Sequence, residues 1–278
     1  MDYLLRKDSP FSDELWQRID ETVVSVAKDQ LVCRKFMNIY GPLGAGVQSI
    51  SIDVLESDMN TMMSYTGEED TTPVKVKSKK YVSLPMIFKD LTIAWTDLES
   101  SKQMGYPLEL APFAVAASAY SNKEDHFLFW GNKEMGYEGL LNVEGRQIAK
   151  LNKWNEGETA FSDIASGIEK LVKKGFYGPY VLIVSPDLYL QLQRIQPGTG
   201  TLEIERIREL VGGKVYQTPV LGSNKALLFE KGMQNMDIVI GQDLITAYLG
   251  PEKMNHSLRI LESILLRVKR PESIVSFE

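Results

Sequence analysis

Residues 12–46 read SDELWQRIDETVVSVAKDQLVCRKFMNIYGPLGAG, and the first part of this stretch predicts one amphipathic helix. Ser12 and the two acids after it are residue types that favour a helix N-cap and first turn. Apolar side chains then recur at helical spacing, at Leu15, Ile19, Val23, Val26 and Leu31. The helix should run for about five turns and end before residues 41–46, where a proline and three glycines start a loop.

Residues 49–55 and 74–77 alternate apolar and polar side chains, which predicts the two arms of a long β-hairpin. The polar stretch SDMNTMMSYTGEEDTTP at residues 57–73 lies between them. An isolated two-stranded hairpin is marginally stable in water, so we expect this one to lie on a neighbouring surface, within the subunit or on another subunit. The lysines of its second arm are interpreted as a charged edge that discourages wrong strand pairing, with nucleic-acid contact as the alternative.

Residues 111–130 predict a long alanine-rich helix, closed by Gly131 at the place of a left-handed C-terminal cap. A compact α/β unit follows at residues 140–225. In it, Ser162 and Asp163 are predicted to open one helix, and Ser185 precedes another that runs to about Ile195. Short strands return at residues 226–229, 237–240, 245–249 and 256–269. This order of elements predicts an α+β protein with two intertwined lobes.

The composition argues against several classes of function. A net charge of -6 and a pI near 5.2 argue against a protein that wraps nucleic acid. A single cysteine, Cys33, excludes an intramolecular disulfide, and two histidines without a metal-binding motif leave no predicted metal ligand. The glycine loops lack the Lys-Ser/Thr of a P-loop, and the chain contains no G-x-S-x-G motif, so no catalytic residue is predicted either. No signal peptide or membrane-spanning run is found, and we expect a cytoplasmic protein without membrane contact.

Five short motifs occur in order along nearly the whole chain: CRKF at 33–36, GPLG at 41–44, GLLN at 139–142, GPY at 178–180 and GQDL at 241–244. In this combination the chain resembles family 1 encapsulin shell proteins. The resemblance implies the Hong Kong-type phage capsid fold, with a peripheral domain, an axial domain and an extended hairpin loop. The implied division is 1–55 N-terminal helix and start of the peripheral domain, 56–85 extended loop, 86–139 peripheral domain with spine helix, 140–225 axial domain, and 226–278 return strands of the peripheral domain and extended loop region.

The resemblance also implies an icosahedral homo-oligomer that encloses a cargo enzyme, captured through a C-terminal targeting peptide on the cargo. By position, the peptide would contact Ala27, Leu31, Arg34, Asn38, Ile39, Asp243 and Leu244. Leu31 and Ile39 fit core positions equally well. The loop Gln196, Pro197, Gly198, Thr199, Gly200 and Thr201 would line a pore, or would simply connect two helices.

The implied cargo is a ferritin-like protein for iron storage and oxidative-stress protection, with a dye-decolorizing peroxidase as the alternative. No cofactor is required by this role. Trp95 matches a tryptophan on which some family members stack a flavin, although core packing explains it as well.

Two rival interpretations of the protein class stay open. A prophage major capsid protein would enclose DNA and carry a scaffolding segment, for which a helix at residue 13 should leave no room; a linocin-type bacteriocin would act as a peptidase.

Overall fold

The computed structural model describes residues 2–56, 63–67, 73–196 and 200–278. Its mixture of helices and mainly antiparallel sheets confirms the α+β class. The α-helices of this part of the chain are α1 (Asp13–Gln30), α2 (Trp95–Met104), α3 (Ala111–Trp130), α4 (Thr159–Lys173), α5 (Pro186–Gln191) and α6 (Glu203–Val211). Its strands are β1 (Ile39–Tyr40), β2 (Ser49–Glu56), β3 (Lys75–Ser83), β4 (Met86–Ile93), β5 (Gln147–Ala149), β6 (Tyr180–Val184), β7 (Val215–Gln217), β8 (Ala226–Glu230), β9 (Met236–Ile240), β10 (Ile245–Glu252), β11 (Asn255–Val268) and β12 (Ile274–Phe277).

The strands form two five-stranded sheets and one separate ribbon. The first sheet has the order β1-β9-β11-β10, and β4 also pairs with β11. The second has the order β5-β12-β8-β6-β7. The ribbon consists of β2 and β3 alone. β11 organises the first sheet, because its first half pairs with β4 and β10 and its second half pairs with β9.

Helix α1 begins where the sequence predicts, with the Ser12 hydroxyl accepting a hydrogen bond from the Leu15 amide at 3.2 Å. One face of α1 is buried, as its apolar spacing requires. This face packs against α3, and the two helices share the main hydrophobic core with the first sheet. The helix predicted at 111–130 is also confirmed, because α3 has these bounds and buries small alanines such as Ala116 and Ala117.

The second lobe is built on the second sheet and has its own core around the fully buried Trp154. Strands β8 and β12 belong to this sheet, whereas the sequence places residues 226–278 with the return strands of the peripheral domain. Every residue of these two strands is buried, so neither strand has the polar face that would mark its position in the sequence. The division into domains otherwise stays a prediction.

Two predicted helix bounds are wrong. Helix α4 begins at Thr159, three residues before Ser162, and Asp163 lies inside the helix. The Asp163 carboxylate instead accepts hydrogen bonds from the Asn152 amide at 2.8 Å and the Trp154 indole at 2.9 Å. Helix α5 ends at Gln191 and not near Ile195. Helix α2 was not predicted, because it buries a single residue, Leu98, and shows no clear apolar stripe.

The predicted hairpin is confirmed as the β2–β3 ribbon, whose register runs from Ser49 opposite Ser83 to Glu56 opposite Lys75. All side chains of β3 except that of Val82 are exposed. Neither strand pairs with a third strand within the described residues. The base of the ribbon is fixed by a 3.1 Å hydrogen bond from the Tyr137 hydroxyl to the Ser83 carbonyl. The tip, at residues 57–62 and 68–72, lies outside the described part of the chain.

Gly131 ends α3 in a position that tolerates no side chain. Its φ of 69° is one that favours glycine, although its ψ of -157° differs from the left-handed cap that the sequence predicts, and an added Cβ would overlap the backbone of Tyr137 and Gly139. We expect Gly131→Ala to lower the free energy of unfolding by about 2–5 kcal/mol, from backbone strain and overpacking together. Gly136→Ala is the matched control, since Gly136 has a similar φ of 77° but open space around it. That variant should lose only about 1–2 kcal/mol; equal losses in denaturant unfolding would contradict the steric argument.

Candidate functional site

The C-terminal half of α1 and the loop between β9 and β10 enclose a cavity of about 250 Å³, called the α1 pocket below. Its lining consists of Val24, Ala27, Lys28, Leu31, Arg34, Lys35, Asp243 and Leu244. Five of the seven residues predicted for cargo contact are in this lining: Ala27, Leu31, Arg34, Asp243 and Leu244. Chain folding thus brings together the CRKF and GQDL motifs, which are about 200 positions apart.

The other two predicted contact residues, Asn38 and Ile39, do not line this cavity. The Asn38 carbonyl accepts a hydrogen bond from the Ile238 amide at 2.9 Å. Ile39 begins β1 beside β9 and is 44% exposed, so it is a surface residue and not a core residue. Leu31, in contrast, is only 3% exposed. The two residues that the sequence could not assign therefore lie in different environments.

The α1 pocket has an apolar floor and a charged rim. Ala27 and Leu31 are buried, whereas Lys28 and Lys35 are exposed. The side chain of Asp243 is 57% exposed on the opposite side. An apolar depression with a few charges at its edge suits a short peptide whose side chains enter it from one direction.

Arg34 forms one wall of the pocket and is held from behind by two buried glutamates. Its Nε lies 2.7 Å from Glu124 Oε1 on α3, and its Nη2 lies 2.5 Å from Glu262 Oε1 on β11. Its Nη1 is 3.5 Å from Asp243 Oδ1 at the rim. The Tyr120 hydroxyl donates a 2.5 Å hydrogen bond to the other oxygen of Glu262. Both glutamate side chains are fully buried, while 19% of the Arg34 side chain is exposed.

Burial dominates the electrostatics of this network. Desolvation raises the pKa of Glu262 to about 8, and the nearby charge of Glu124 adds to the rise, while Arg34 opposes it. Desolvation also raises the pKa of Glu124, again opposed by Arg34. For Arg34, burial alone would lower the pKa, but the two glutamates outweigh it and raise the pKa above its ordinary value. The guanidinium is therefore charged at every physiological pH.

Asp125 fixes the turn that carries Arg34. Its carboxylate accepts hydrogen bonds from the Val32 amide at 2.8 Å and the Cys33 amide at 3.1 Å. Burial raises the pKa of Asp125, and these two hydrogen bonds oppose that rise. The turn following α1 is thus tied to the middle of α3, which places Arg34 against Glu124 on the same helix.

The sequence reasoning missed Tyr120, Glu124, Asp125 and Glu262. A signal for Glu262 was present, because the apolar positions 258, 260, 264 and 266 of β11 place residue 262 on the buried face of the strand. A signal for Glu124 and Asp125 was the pair of acids within the apolar run of α3. A buried acid needs a partner, but alternation alone could not identify Arg34 as that partner.

The predicted pore loop is described only at its ends, since Pro197, Gly198 and Thr199 lie outside the described residues. At the stem, the Gln196 amide donates to the Thr201 carbonyl at 2.9 Å. Gly200 is exposed with a φ of 69°. Below the stem, Arg194 Nε lies 2.6 Å from Glu203 Oε2. These contacts close the loop at its base, and its place at a pore stays a prediction.

Trp95 is 41% exposed at the start of α2, where its amide donates to the Asn255 side chain at 3.2 Å. An exposed aromatic ring can stack on a flavin, but a flavin phosphate also needs a cation. In the neighbouring strand β4, Asp90 forms a bidentate salt bridge with Arg259, and Lys89 is exposed. The residues fit the ring of a flavin better than its phosphate, and flavin contact at Trp95 stays a prediction.

The structure also bears on the other predicted site types. In residues 2–56, 63–67, 73–196 and 200–278, no cluster of three or more His, Cys, Asp or Glu side chains could hold a metal ion. Over the same residues, no helix is both long and apolar enough to span a bilayer. Cys33 is fully buried, and burial raises its thiol pKa well above the ordinary value, as expected for a small core residue.

The Arg34 network predicts a large and pH-dependent cost for losing its cation. Arg34→Met should destabilise the protein by about 3–5 kcal/mol at pH 8, because two buried carboxyls would lose their counter-charge. The loss should shrink between pH 8 and pH 5, because burial raises the pKa of both carboxyls and their neutral forms need no counter-charge. Arg146→Met is the control, since the Arg146 side chain is as little exposed as that of Arg34 but its partner Glu278 is 38% exposed and can be solvated, so this pair should contribute at most about 1 kcal/mol. Denaturant unfolding at the two pH values measures both; a small loss for Arg34→Met at pH 8 would contradict the network.

Comparison with known proteins extends these observations. Residues 1–265 match the family model described as encapsulating protein for peroxidase. The type 1 encapsulin shell protein EncA of Myxococcus xanthus is 38% identical over 277 residues, which is 100% of this chain and 96% of that protein. A diheme-cytochrome-encapsulin shell fusion protein of Kuenenia stuttgartiensis is 39% identical over 95% of this chain and 73% of its own length. A ferritin-like-encapsulin shell fusion protein of Pyrococcus furiosus is 26% identical over 74% of this chain and 55% of its own length.

Solved structures show the same fold. A virus-like particle from Pyrococcus furiosus superimposes with a TM-score of 0.77 and 21% identity, covering 95% of this chain and 99% of that one. The capsid of Myoviridae phage XM1 superimposes with a TM-score of 0.65 and 14% identity, covering 87% and 88%. The expected phage capsid fold is confirmed. With a family match over residues 1–265 and a full-length relative at 38% identity, this chain belongs to the type 1 encapsulin shell-protein family.

Proposed function

We propose that many copies of this chain assemble into a closed icosahedral shell that encloses an enzyme. The observation that carries the proposal is the β2–β3 ribbon, which is exposed along β3 and pairs with no third strand among the described residues. A two-stranded ribbon of this kind is marginal alone, and a second copy of the chain is the partner that its capsid fold favours. Repeated contacts of one kind between identical chains can close a container.

The α1 pocket is the proposed attachment point for the cargo. Its apolar floor can bury side chains of an extended peptide, and its rim offers both signs of charge in Lys28, Lys35 and Asp243. A single contact of this size would be weak. Many pockets facing one lumen would still retain a multimeric enzyme, because each bound peptide raises the effective concentration of the next one.

A ferritin-like protein is the proposed cargo, with iron storage and protection from oxidative stress as the physiological role. The printed name of the Pyrococcus furiosus relative, a ferritin-like-encapsulin shell fusion, supports this pairing. A dye-decolorizing peroxidase is the second candidate, favoured by the family description as an encapsulating protein for peroxidase. Loop 196–201 is proposed to form the pore through which small ions pass, selected mainly by size. No catalytic role is proposed for the shell itself.

Purification of the native particle from the organism that carries this gene tests the proposal as a whole. Mass spectrometry of nuclease-treated particles should identify a ferritin-like protein, together with iron in the lumen. A haem peroxidase would select the second candidate. Packaged DNA would favour the phage-capsid interpretation, and peptidase activity of an empty particle would favour the bacteriocin interpretation; either result would overturn the proposal.

Removing the ribbon should prevent shell assembly without unfolding the subunit. In the shortened variant, an Asn-Gly turn replaces residues 54–78 and joins the paired residues Asp53 and Lys79. The subunit should keep its thermal midpoint of unfolding, because Ile50 and Val82, which pack against the main core, are retained and the described residues among 54–78 belong to no core, but it should elute as monomers or small oligomers. Light scattering and negative-stain electron microscopy provide the measurement. Closed particles formed by this variant would contradict the role of the ribbon.

Filling the α1 pocket should release the cargo and leave the shell intact. We expect Leu244→Trp to reduce the cargo that co-purifies with the shell by at least about tenfold, a loss of one or two kcal/mol per contact. The probe is a co-expressed ferritin-like protein with its C-terminal peptide, compared with a copy that lacks the peptide. Ser25→Trp is the control, because Ser25 is exposed on the same helix and does not line the pocket. Equal cargo content in the two tryptophan variants would place the attachment point elsewhere.

A further inference from the structure

We propose that Glu262 is a positioning residue of the α1 pocket: the gain or loss of one proton on its carboxyl changes the net charge directly behind Arg34, and with it the attraction of the pocket for the bound peptide. This proposal rests on the proposed function of the pocket, whereas the protonation of Glu262 does not depend on that function. Glu262 does not line the pocket and acts through Arg34, whose guanidinium joins the buried carboxyls to the rim.

The geometry leaves this network one positive charge short. A single guanidinium contacts two fully buried carboxyls, with Glu124 on Nε and Nη2 and Glu262 on Nη2. If both carboxyls were ionised, the buried part of the network would carry a net negative charge in a low-dielectric environment, which is costly. With Glu262 protonated, Arg34 and Glu124 balance each other. The state with Glu262 protonated is therefore the stable one in this buried, low-dielectric environment.

The groups around Glu262 identify it as the residue that takes the proton. The titratable and charged groups that face the network from its surrounding elements are Lys28 on α1, Cys33, Arg34 and Lys35 on the turn after it, Tyr120, Glu124 and Asp125 on α3, and Asp243 on the β9–β10 loop. Glu124 receives two hydrogen bonds from the Arg34 guanidinium, whereas Glu262 receives one from Arg34 and one from the neutral Tyr120 hydroxyl, so Glu124 is the carboxyl more closely paired with the positive charge. Asp125 is bound to backbone amides and does not contact the guanidinium.

The balance changes within the physiological pH range. Burial and the charge of Glu124 raise the pKa of Glu262 to about 8, so the residue is protonated at neutral pH and ionises as the pH rises past 8. Ionisation adds one negative charge directly behind Arg34. The pocket should then hold a peptide carboxylate less strongly and a peptide cation near Asp243 more strongly. The same network thus makes the pocket sensitive to pH without a histidine.

Tyr120 sets the midpoint of this change. When Glu262 is ionised, the Tyr120 hydroxyl donates the 2.5 Å hydrogen bond to Glu262 Oε2, and this bond favours the carboxylate. When Glu262 is protonated, its proton lies on Oε2 and is donated to the Tyr120 oxygen. Removing the hydroxyl with Tyr120→Phe should therefore raise the midpoint by about one pH unit. Phenylalanine keeps the ring in the core, so this variant is expected to fold even if a change at Glu262 is not tolerated.

The test places a reporter at the rim of the pocket. Lys28→Cys is labelled with an environment-sensitive fluorophore and titrated from pH 6 to pH 10, with the unlabelled Cys33 fully buried. The expected result is a fluorescence transition with a midpoint near 8 that disappears in the Glu262→Gln background and moves upward with Tyr120→Phe. The same fluorophore on Lys214→Cys, an exposed position of the second lobe, measures the pH response of the dye itself, which is then subtracted.

A transition that survives Glu262→Gln unchanged, or a parental protein without a transition, would overturn the proposal. The readout needs no cargo, which separates this proposal from the proposed function. If the titration is found but Leu244→Trp does not release cargo, the pocket has another occupant and the proton assignment stands. If cargo is released but no titration is found, only the role of Glu262 fails.

Discussion

The buried contact between Arg34 and the two glutamates is the constraint on which the rest of the lobe built on the first sheet depends. It joins the turn after α1 to the middle of α3 through Glu124 and to the centre of β11 through Glu262. Asp125 adds a second tie between the same turn and α3. The N-terminal helix is therefore held on α3 at its C-terminal end by charges and along its length by apolar packing. Because the α1 pocket lies where these ties meet, its shape follows from the network.

Assembly imposes the opposite requirement on the β2–β3 ribbon. A strand pair with nearly all of one strand exposed gains little from its own subunit, so in the proposed shell its stability would come from a neighbouring copy. On this proposal, the lysines along β3 discourage the ribbon from pairing with a wrong strand edge before the neighbouring copy binds. In the proposed shell subunit, the lobe around Arg34 keeps the shape of the pocket and the exposed ribbon connects copies.

Local patterns allowed much of this fold to be predicted. The capped, amphipathic α1, the alanine-rich α3 and the alternating β11 all carry a periodic signal in consecutive residues, and the structure confirms all three. The sheet to which β8 and β12 belong could not be predicted, because fully buried strands show no alternation and their partners are chosen by tertiary packing. Asp163 was misassigned for a related reason: an acid in a helix resembles a cap until its distant partners, Asn152 and Trp154, are known.

At the candidate site, too, the partners of a residue could not be predicted from local sequence patterns. The site also offers a reason why the network contains charged groups. Five lining residues were predicted by position from the family resemblance, but the glutamates behind Arg34 lie 90 and 228 positions away from it. Apolar residues of similar volume often stabilise a core more than a buried ion network does, so stability alone does not explain one here. Two carboxyls gripping a planar guanidinium instead fix its orientation at the pocket wall, and the unequal count of charges leaves one proton to be gained or lost. A purely apolar wall could do neither, which makes recognition at the α1 pocket the more economical explanation for burying these charges.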